Sequence, residues 1–293
     1  MELRHIRYFM AVADEKNFTR AAEKLCIAQP PLSRQIRDLE EELDCTLFER
    51  SPHSLKLTSE GELFYQYAKQ ILELVSRSTE DVKEVHEGLQ GTLYIASVEG
   101  YAPILFSKWI KNFKDIYPHV QYNLWNGDTD DVVSRIENGL CELAIITAPY
   151  DNEEFEAIPV HEEPWVAVIP MGHPLSTDES PITPSELLPY ELLIPSRKSR
   201  KSEIDHWFDN LGSKPIIRGR VAHVLNAYEL SRQGIGIAIY PASIAHIADK
   251  SDVCIRTINH PDAVASYALI YEKKRPLSKI AEAFVTSIQK YTF

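Results

Sequence analysis

The chain has 293 residues and a formal net charge of −12. On a prior of roughly 150 residues per domain, that length suggests about two domains with sizeable cores. The acid excess, taken over the whole chain, speaks against a nucleic-acid protein, and no apolar run reaches the roughly 18 residues of a membrane span.

The first strong pattern is residues 16–50, KNFTRAAEKLCIAQPPLSRQIRDLEEELDCTLFER. Thr19 precedes an alanine-rich segment and is expected to cap it. Ala21, Ala22 and Leu25 form the inner face of this helix, and the alanines let a second helix approach closely. Cys26, Ile27 and Ala28 make a turn. Gln29 then takes the N-cap position, with Pro30 and Pro31 in the first turn, where their missing N–H groups cost nothing. Leu32, Ile36, Leu39 and Leu43 follow at helical spacing on one apolar face. The opposite face shows Ser33, Arg34 and Arg37, and arginine there can reach a guanine edge or clamp a phosphate. The pattern fits a helix-turn-helix reading the DNA major groove. It also fits an ordinary amphipathic hairpin with solvated charges.

Charge distribution softens the objection from net charge. Residues 1–58 hold nine Lys/Arg against ten Asp/Glu, a balance of −1 that leaves −11 downstream. One such head is expected to make few phosphate contacts and to bind weakly by itself.

Residues 59–87 have no proline and only Gly61. Phe64, Tyr67, Ile71, Leu74, Ser78, Val82 and Val85 repeat every three or four residues, close to a heptad seam. A helix this long between two domains is expected to pair with the same helix of a second copy rather than cover its own domain. Gly88 and Gly91 end it as a hinge. Such a dimer carries two recognition helices and reads two half-sites of an inverted repeat.

From Thr92 the pattern alternates. Strands are expected at TLYIAS, VQYNLW, LCELAIIT, WVAVIP, ELLIP, IIRGRV, GIAIYP and SYALIYE. Helices are expected over 104–117, 128–138, around 203–211, over 225–233 and over 277–291. Strands separated by helices imply parallel βαβ units. Ligands in such sheets sit at the carboxyl ends of the strands. That rule selects Ser97, Val98, Glu99, Gly100 and Tyr101, then Gly127, Asp128 and Thr129, then Thr147 and Ala148. It also selects Ser196, Arg197, Lys198 and Ser199, and His223 at the start of a helix. Ser97, Thr129, Ser196 and free helix N–H groups suit a small anion, and Arg197 or Lys198 can supply charge. Glu99 and Asp128 point instead to a cationic or hydroxyl-rich ligand. PSRKSRKS, the most basic run, reads equally as a source of that charge and as a solvated surface loop or interdomain contact, and His223 as a ligand donor or a packed helix start. The balance favours a small polar metabolite, leaning to an anion.

The opening ELRHIRYF, then FTRAAEKL, AQPPLSRQIRDLE, LFER and LTSEG, together resemble the N-terminal domain of LysR-type transcriptional regulators. GTLYIAS, YPHVQYNLWNGD, ENGLCELAI, VIPMGHPL and SRQGIGIAIYP resemble the remainder of that family. The resemblance implies an α/β chain with an all-α N-terminal module: a winged helix-turn-helix over 1–58, a linker and dimerisation helix over 59–90, and an effector-binding domain over 91–293. It implies a supporting helix from Leu3 to about Asp14, with Leu3, Ile6, Phe9, Met10 and Ala13 facing inward, and a wing from Phe48 to Leu57. The family carries a basic residue at the wing tip, where this chain has His53 and Ser54, so phosphate contact there falls to Arg50 and Lys56. The effector domain is implied to be like a periplasmic binding protein, with lobe I at 91–160 and 266–293 and lobe II at 161–265. The chain crosses near 158–163 and 261–266, and effector contacts fall on the loops already named. Serine or threonine is the family's usual choice at the place of His223.

The implied function is a cytoplasmic, ligand-responsive regulator. It binds double-stranded promoter DNA as a dimer through the linker helix and as a tetramer through its effector domains, with RNA polymerase as a further contact. The competing readings are a solute-binding protein without transcriptional output, against which the DNA module argues, and an enzyme. Cys26, Cys45, Cys141 and Cys254 have no metal-like spacing. GIGIAIY contains G-x-G but enters a strand instead of opening a helix. No nucleophile elbow or P-loop is present, so neither catalysis nor a cofactor is expected.

Overall fold

A computed structural model describes residues 1–51, 54–84, 89–150 and 153–292. The chain forms two compact units, residues 1–88 and 89–293.

The first unit contains α1 (Leu3–Glu15), α2 (Phe18–Lys24), α3 (Gln29–Glu42), the hairpin β1 (Phe48–Ser51) and β2 (Ser54–Leu57), and α4 (Ser59–Glu84). Its core joins Ile6, Phe9 and Val12 of α1 to Ala21 and Ala22 of α2 and Leu32, Ile36 and Leu39 of α3. Leu3, expected on the inner face, is exposed. Two helix starts differ from expectation. Asn17 caps α2, its side chain accepting from the N–H groups of Thr19 and Arg20 at 2.8 and 3.1 Å. Thr19 lies inside the helix because Phe18, packed edge-on against Phe48 at 6.0 Å, begins it. The cap of α3 is Ala28, without a side-chain bond, and Gln29 is already helical. The N–H groups that a cap side chain would serve belong to the second and third residues. Here these are Pro30 and Pro31, so there is nothing to cap.

The LTSEG segment has a geometric cause. The Thr58 hydroxyl accepts from the Gly61 N–H at 2.9 Å and donates to the Thr46 carbonyl at 2.6 Å. A Cβ on Gly61 would stand 2.1 Å from the Leu47 carbonyl oxygen, so only glycine lets α4 start against the wing. Along α4, Phe64, Tyr65, Ile71 and Leu72 pack on the unit's own core around fully buried Ala68, while Leu63, Tyr67 and Leu74 stay exposed. The expected seam is therefore split. Phe64 and Ile71 turn inward because the first turns of the helix border α1, and the unpartnered stripe is Leu63, Tyr67 and Leu74. The exposed Ser78 hydroxyl donates to the Val75 carbonyl. Val85 and Gly88 lie outside the described residues, as does the side chain of Val82.

The second unit runs through β3 (Gly91–Ser97), α5 (Ala102–Ile116), β4 (Val120–Asn126), α6 (Thr129–Glu137), β5 (Leu143–Thr147) and β6 (Phe155–Pro170). It continues with α7 (Pro184–Leu187), β7 (Glu191–Pro195), α8 (Lys198–His206), β8 (Ile216–Val221), α9 (Val224–Arg232) and β9 (Ile237–Pro241). It ends with β10 (Val253–Thr257), β11 (Val264–Glu272) and α10 (Lys279–Thr292). The strand order is β4-β3-β5-β11-β6-β9-β7-β8, with β10 also on β6. Parallel pairs β3·β4, β3·β5, β7·β8 and β7·β9 match the expected βαβ units. The joining strands do not, because β6 and β11 run antiparallel to each other and to their other partners.

That pair builds the two lobes. The first part of β6 pairs with β11 from Phe155↔Glu272 to Pro164↔Val264, with a register shift beside Tyr267. From Trp165 the same strand pairs with β9 and β10 instead. The changeover falls at Pro164 and Trp165, at the end of the stretch expected to cross. Strand β10 and helix α7 were not expected, and α8 starts at Lys198, so the basic run opens a helix instead of forming a loop.

Candidate functional site

On α3, Gln29, Pro30, Arg34 and Arg37 are exposed and Ser33 is half-buried. Among the described residues neither arginine has a hydrogen bond or ion pair, so both guanidinium groups are free to meet phosphate or a base edge. Gln35 is turned the other way, toward the His5 ring at 3.1 Å and Asp38 at 3.2 Å, which ties α3 to α1. Glu40 accepts from the Leu47 and Phe48 N–H groups at 2.9 and 3.2 Å, fixing where the wing leaves α3. Thr19 is exposed in the first turn of α2, and Lys56 is exposed opposite Glu49 on the wing. His53 lies outside the described residues, as do the side chains of Arg50 and Ser54.

In the second unit a cleft of about 310 Å³ opens between the lobes. Val98, Glu99, Gly100, Asp128, Thr129, Thr147, Arg197 and His223 line it, as the carboxyl-end rule expected. Ser97 does not, being buried with its oxygen accepting from Asn126 Nδ2 at 2.8 Å. Tyr101 also leaves the cleft, its ring stacking 3.5 Å from His161. Ser196 is exposed outside the lining, and the side chain of Lys198 is not described.

Most of the wall was not legible in the sequence. Trp125, Trp165, Tyr240, Tyr267, Pro195 and Pro241 give it a largely apolar, aromatic surface. Trp165 is fully buried at the strand changeover, edge-on to Trp207 at 5.5 Å and beneath the Arg200 guanidinium at 5.3 Å. Trp125 is held by Arg135 at 4.7 Å. A tryptophan opening a strand just past the crossing was the one available signal for this wall.

Three sets of polar contacts shape the cleft. Glu99, from the loop after β3, accepts from His223 Nδ1 at 2.9 Å and from the Val224 N–H at 2.8 Å, bridging the lobes. Asp128 caps α6 by accepting from the Asp131 N–H at 2.9 Å. Glu163 is buried on β6 and accepts from the Ser243 N–H, the Ser243 hydroxyl and the Tyr267 hydroxyl, at 2.5, 2.9 and 2.6 Å. Burial raises the Tyr267 phenol well above its ordinary range, and Glu163 adds to the shift. Gly100 has φ +91°, and a Cβ there would come within 2.5 Å of the Tyr267 oxygen.

Two donors at the cleft are unspent. Arg197 reaches Asp130 only at 3.7 Å, and its Nη1 is buried without a partner among the described residues. Burial, then the neighbouring Arg200, press its pKa below the usual arginine range. Trp165 Nε1 is likewise buried and unpartnered. A buried donor without an acceptor is costly; Arg197 lines the cleft and keeps 15% of its side chain exposed, whereas Trp165 is fully buried in the wall.

A family model for the bacterial regulatory helix-turn-helix protein, lysR family, matches residues 3–62, and one for the LysR substrate binding domain matches residues 86–292. The chain belongs to the LysR family of transcriptional regulators. Among LysR relatives, the regulator BenM of Acinetobacter baylyi is 29% identical, covering 100% of this chain and 97% of its own. The uncharacterised regulator YnfL of Escherichia coli is 30% identical over 97% of this chain and 96% of its own. Among solved structures, the LysR regulator CbnR superposes with a TM-score of 0.82 at 25% identity, covering 100% of both chains. Full-length CbnR in complex with its target DNA gives 0.80 at 26% identity and 99% of both chains. No described helix is long and apolar enough to cross a membrane.

Proposed function

We propose that this LysR-type regulator responds to a small carboxylic acid with an apolar or aromatic body, held in the cleft of the second unit. The observation that carries the reading is Arg197, a partly exposed guanidinium lining the cleft with its Nη1 unpartnered among the described residues, set beside an aromatic wall. Val98, Gly100, Asp128, Thr129 and Thr147 line the same space. Output runs through α3: Arg34 and Arg37 face DNA with Gln29, Pro30 and Ser33, Thr19, Arg50 and Lys56 serve as phosphate contacts, and His53 is assigned to the same DNA-binding set. The exposed stripe Leu63, Tyr67 and Leu74 on α4 supports pairing of two copies, which places two heads on an inverted repeat. Effector domains then pair dimers into tetramers, and acid binding shifts the lobes and the DNA geometry that polymerase meets. A ligand can shift that equilibrium by no more than its differential affinity for the two states. The domains fall at 1–58, 59–90 and 91–293, and the protein works in the cytoplasm without catalysis.

The test is a melting-temperature panel on the full chain, pairing aromatic and aliphatic carboxylates with amines of matched shape. Stabilisation by acids and not by amines is expected, and an acid that stabilises should alter the footprint on the protein's inverted-repeat site. If only amines stabilise, the reading is wrong.

A further inference from the structure

Glu99 is a carboxylate of the chain that already sits where an acid would go. It comes from lobe I, and both its oxygens are engaged by lobe II, one by the His223 ring and one by the first N–H of α9. Such donors favour negative charge, since the N–H groups of a helix start have no intrahelical partner. The contact is not sealed into the core: the side chain of Glu99 is 36% exposed and that of His223 65% exposed. It can therefore open without unfolding either lobe. Arg197 lines the same cleft with 15% of its side chain exposed, and its Nη1 has no partner among the described residues, so a cationic donor for an acid stands beside this contact.

We propose that Glu99 is a built-in competitor that sets which acids the cleft accepts. In the free protein its carboxylate fills the His223 and Val224 donors, and an entering acid must displace it or use only Arg197 and the aromatic wall. Acids with two carboxylates suitably spaced can do the first; simple monocarboxylates are held by Arg197 alone. The proposal rests on the cleft taking an acid.

The test uses the full chain as wild type, Glu99→Ala and Glu99→Gln, with acetate as probe against chloride at equal ionic strength. In Glu99→Ala the amides at the start of α9 exchange hydrogen faster than in wild type. Acetate slows them again, chloride does not, and wild type is indifferent to both. Benzoate, followed by tryptophan fluorescence, binds Glu99→Ala about tenfold tighter than wild type, the scale of one charge-assisted contact. Glu99→Gln, which keeps the shape and loses the charge, lies between. If benzoate binds wild type through Arg197 and Glu99→Ala leaves both its affinity and the acetate response unchanged, the acid reading stands and the competitor role falls. Should no carboxylate act on any variant, both fall. If propylammonium protects wild type and Glu99→Ala loses that protection, Glu99 is a contact for cations and the proposal is overturned.

Discussion

Glu163→Ala is expected to destabilise the second unit by about 2–4 kcal/mol, the cost of taking a buried acceptor from neutral donors that converge on it. Glu163 is 6% exposed on the strand that joins the lobes, and three donors converge on it. A hydrogen bond to a charged group contributes roughly 1.5–3 kcal/mol, and each buried donor left without an acceptor costs about 1–3 kcal/mol. These losses do not add fully, because alanine also removes the cost of burying a carboxylate. Tyr267 is 2% exposed and Ser243 7%, so water does not readily replace the lost acceptor. Glu163→Gln keeps the shape but sets an amide N–H against one donor, and about 1–2 kcal/mol is expected. The assay is urea unfolding followed by tryptophan fluorescence. Trp109, Trp125, Trp165 and Trp207 all lie within residues 89–293, so the signal reports that unit alone. For a unit of this size the alanine variant should melt roughly 10 °C lower. A loss for Glu163→Ala below about 1 kcal/mol would refute the claim that this carboxylate holds the lobe junction together.

Gly100→Ala should cost about 1–3 kcal/mol, since a non-glycine residue at φ +91° is strained and its Cβ meets the Tyr267 oxygen; an unchanged melting temperature would show that the loop yields freely. Burial raises the phenols of Tyr240 and Tyr267 in the folded chain, so their stabilisation is intact below the unfolded value of about 10 and is lost as pH rises above it. Stability measured from pH 9 to 11.5 should fall, and more gently in Tyr267→Phe than in wild type. Tyr67→Glu places charge on the exposed stripe of α4 and should shift sedimentation toward monomer without unfolding the first unit; an unchanged oligomer would exclude that stripe as the pairing surface. Arg34→Ala should cost about 1–3 kcal/mol on the specific DNA site. Equal loss on random DNA would reduce Arg34 to a phosphate contact.

The DNA-binding head was legible because its signals are local. Leu32, Ile36 and Leu39 repeat at helical spacing and are buried, and the arginines opposite them are exposed. The errors there were a residue or two at helix starts, where several residues can cap. Phe18 packing on Phe48 and the paired prolines after Gln29 decided between them. Along α4 the period was right and the facing partly wrong, since a helix pattern does not say which of two adjacent stripes its own domain will cover.

In the second unit, strand ends named many cleft residues because a parallel sheet delivers its loops to one edge. The sequence by itself determined the alternation of strands and helices, the loops that approach a ligand, and the helix that presents Arg34 and Arg37. Tertiary structure alone decided the antiparallel junction of β6 and β11, the aromatic wall, and the partners of each charge. Glu99 and Val224 stand 125 positions apart, and Glu163 and Tyr267 stand 104 apart. Periodicity reports which face of an element is buried, but contacts across such separations depend on how two lobes close, and no local pattern encodes that.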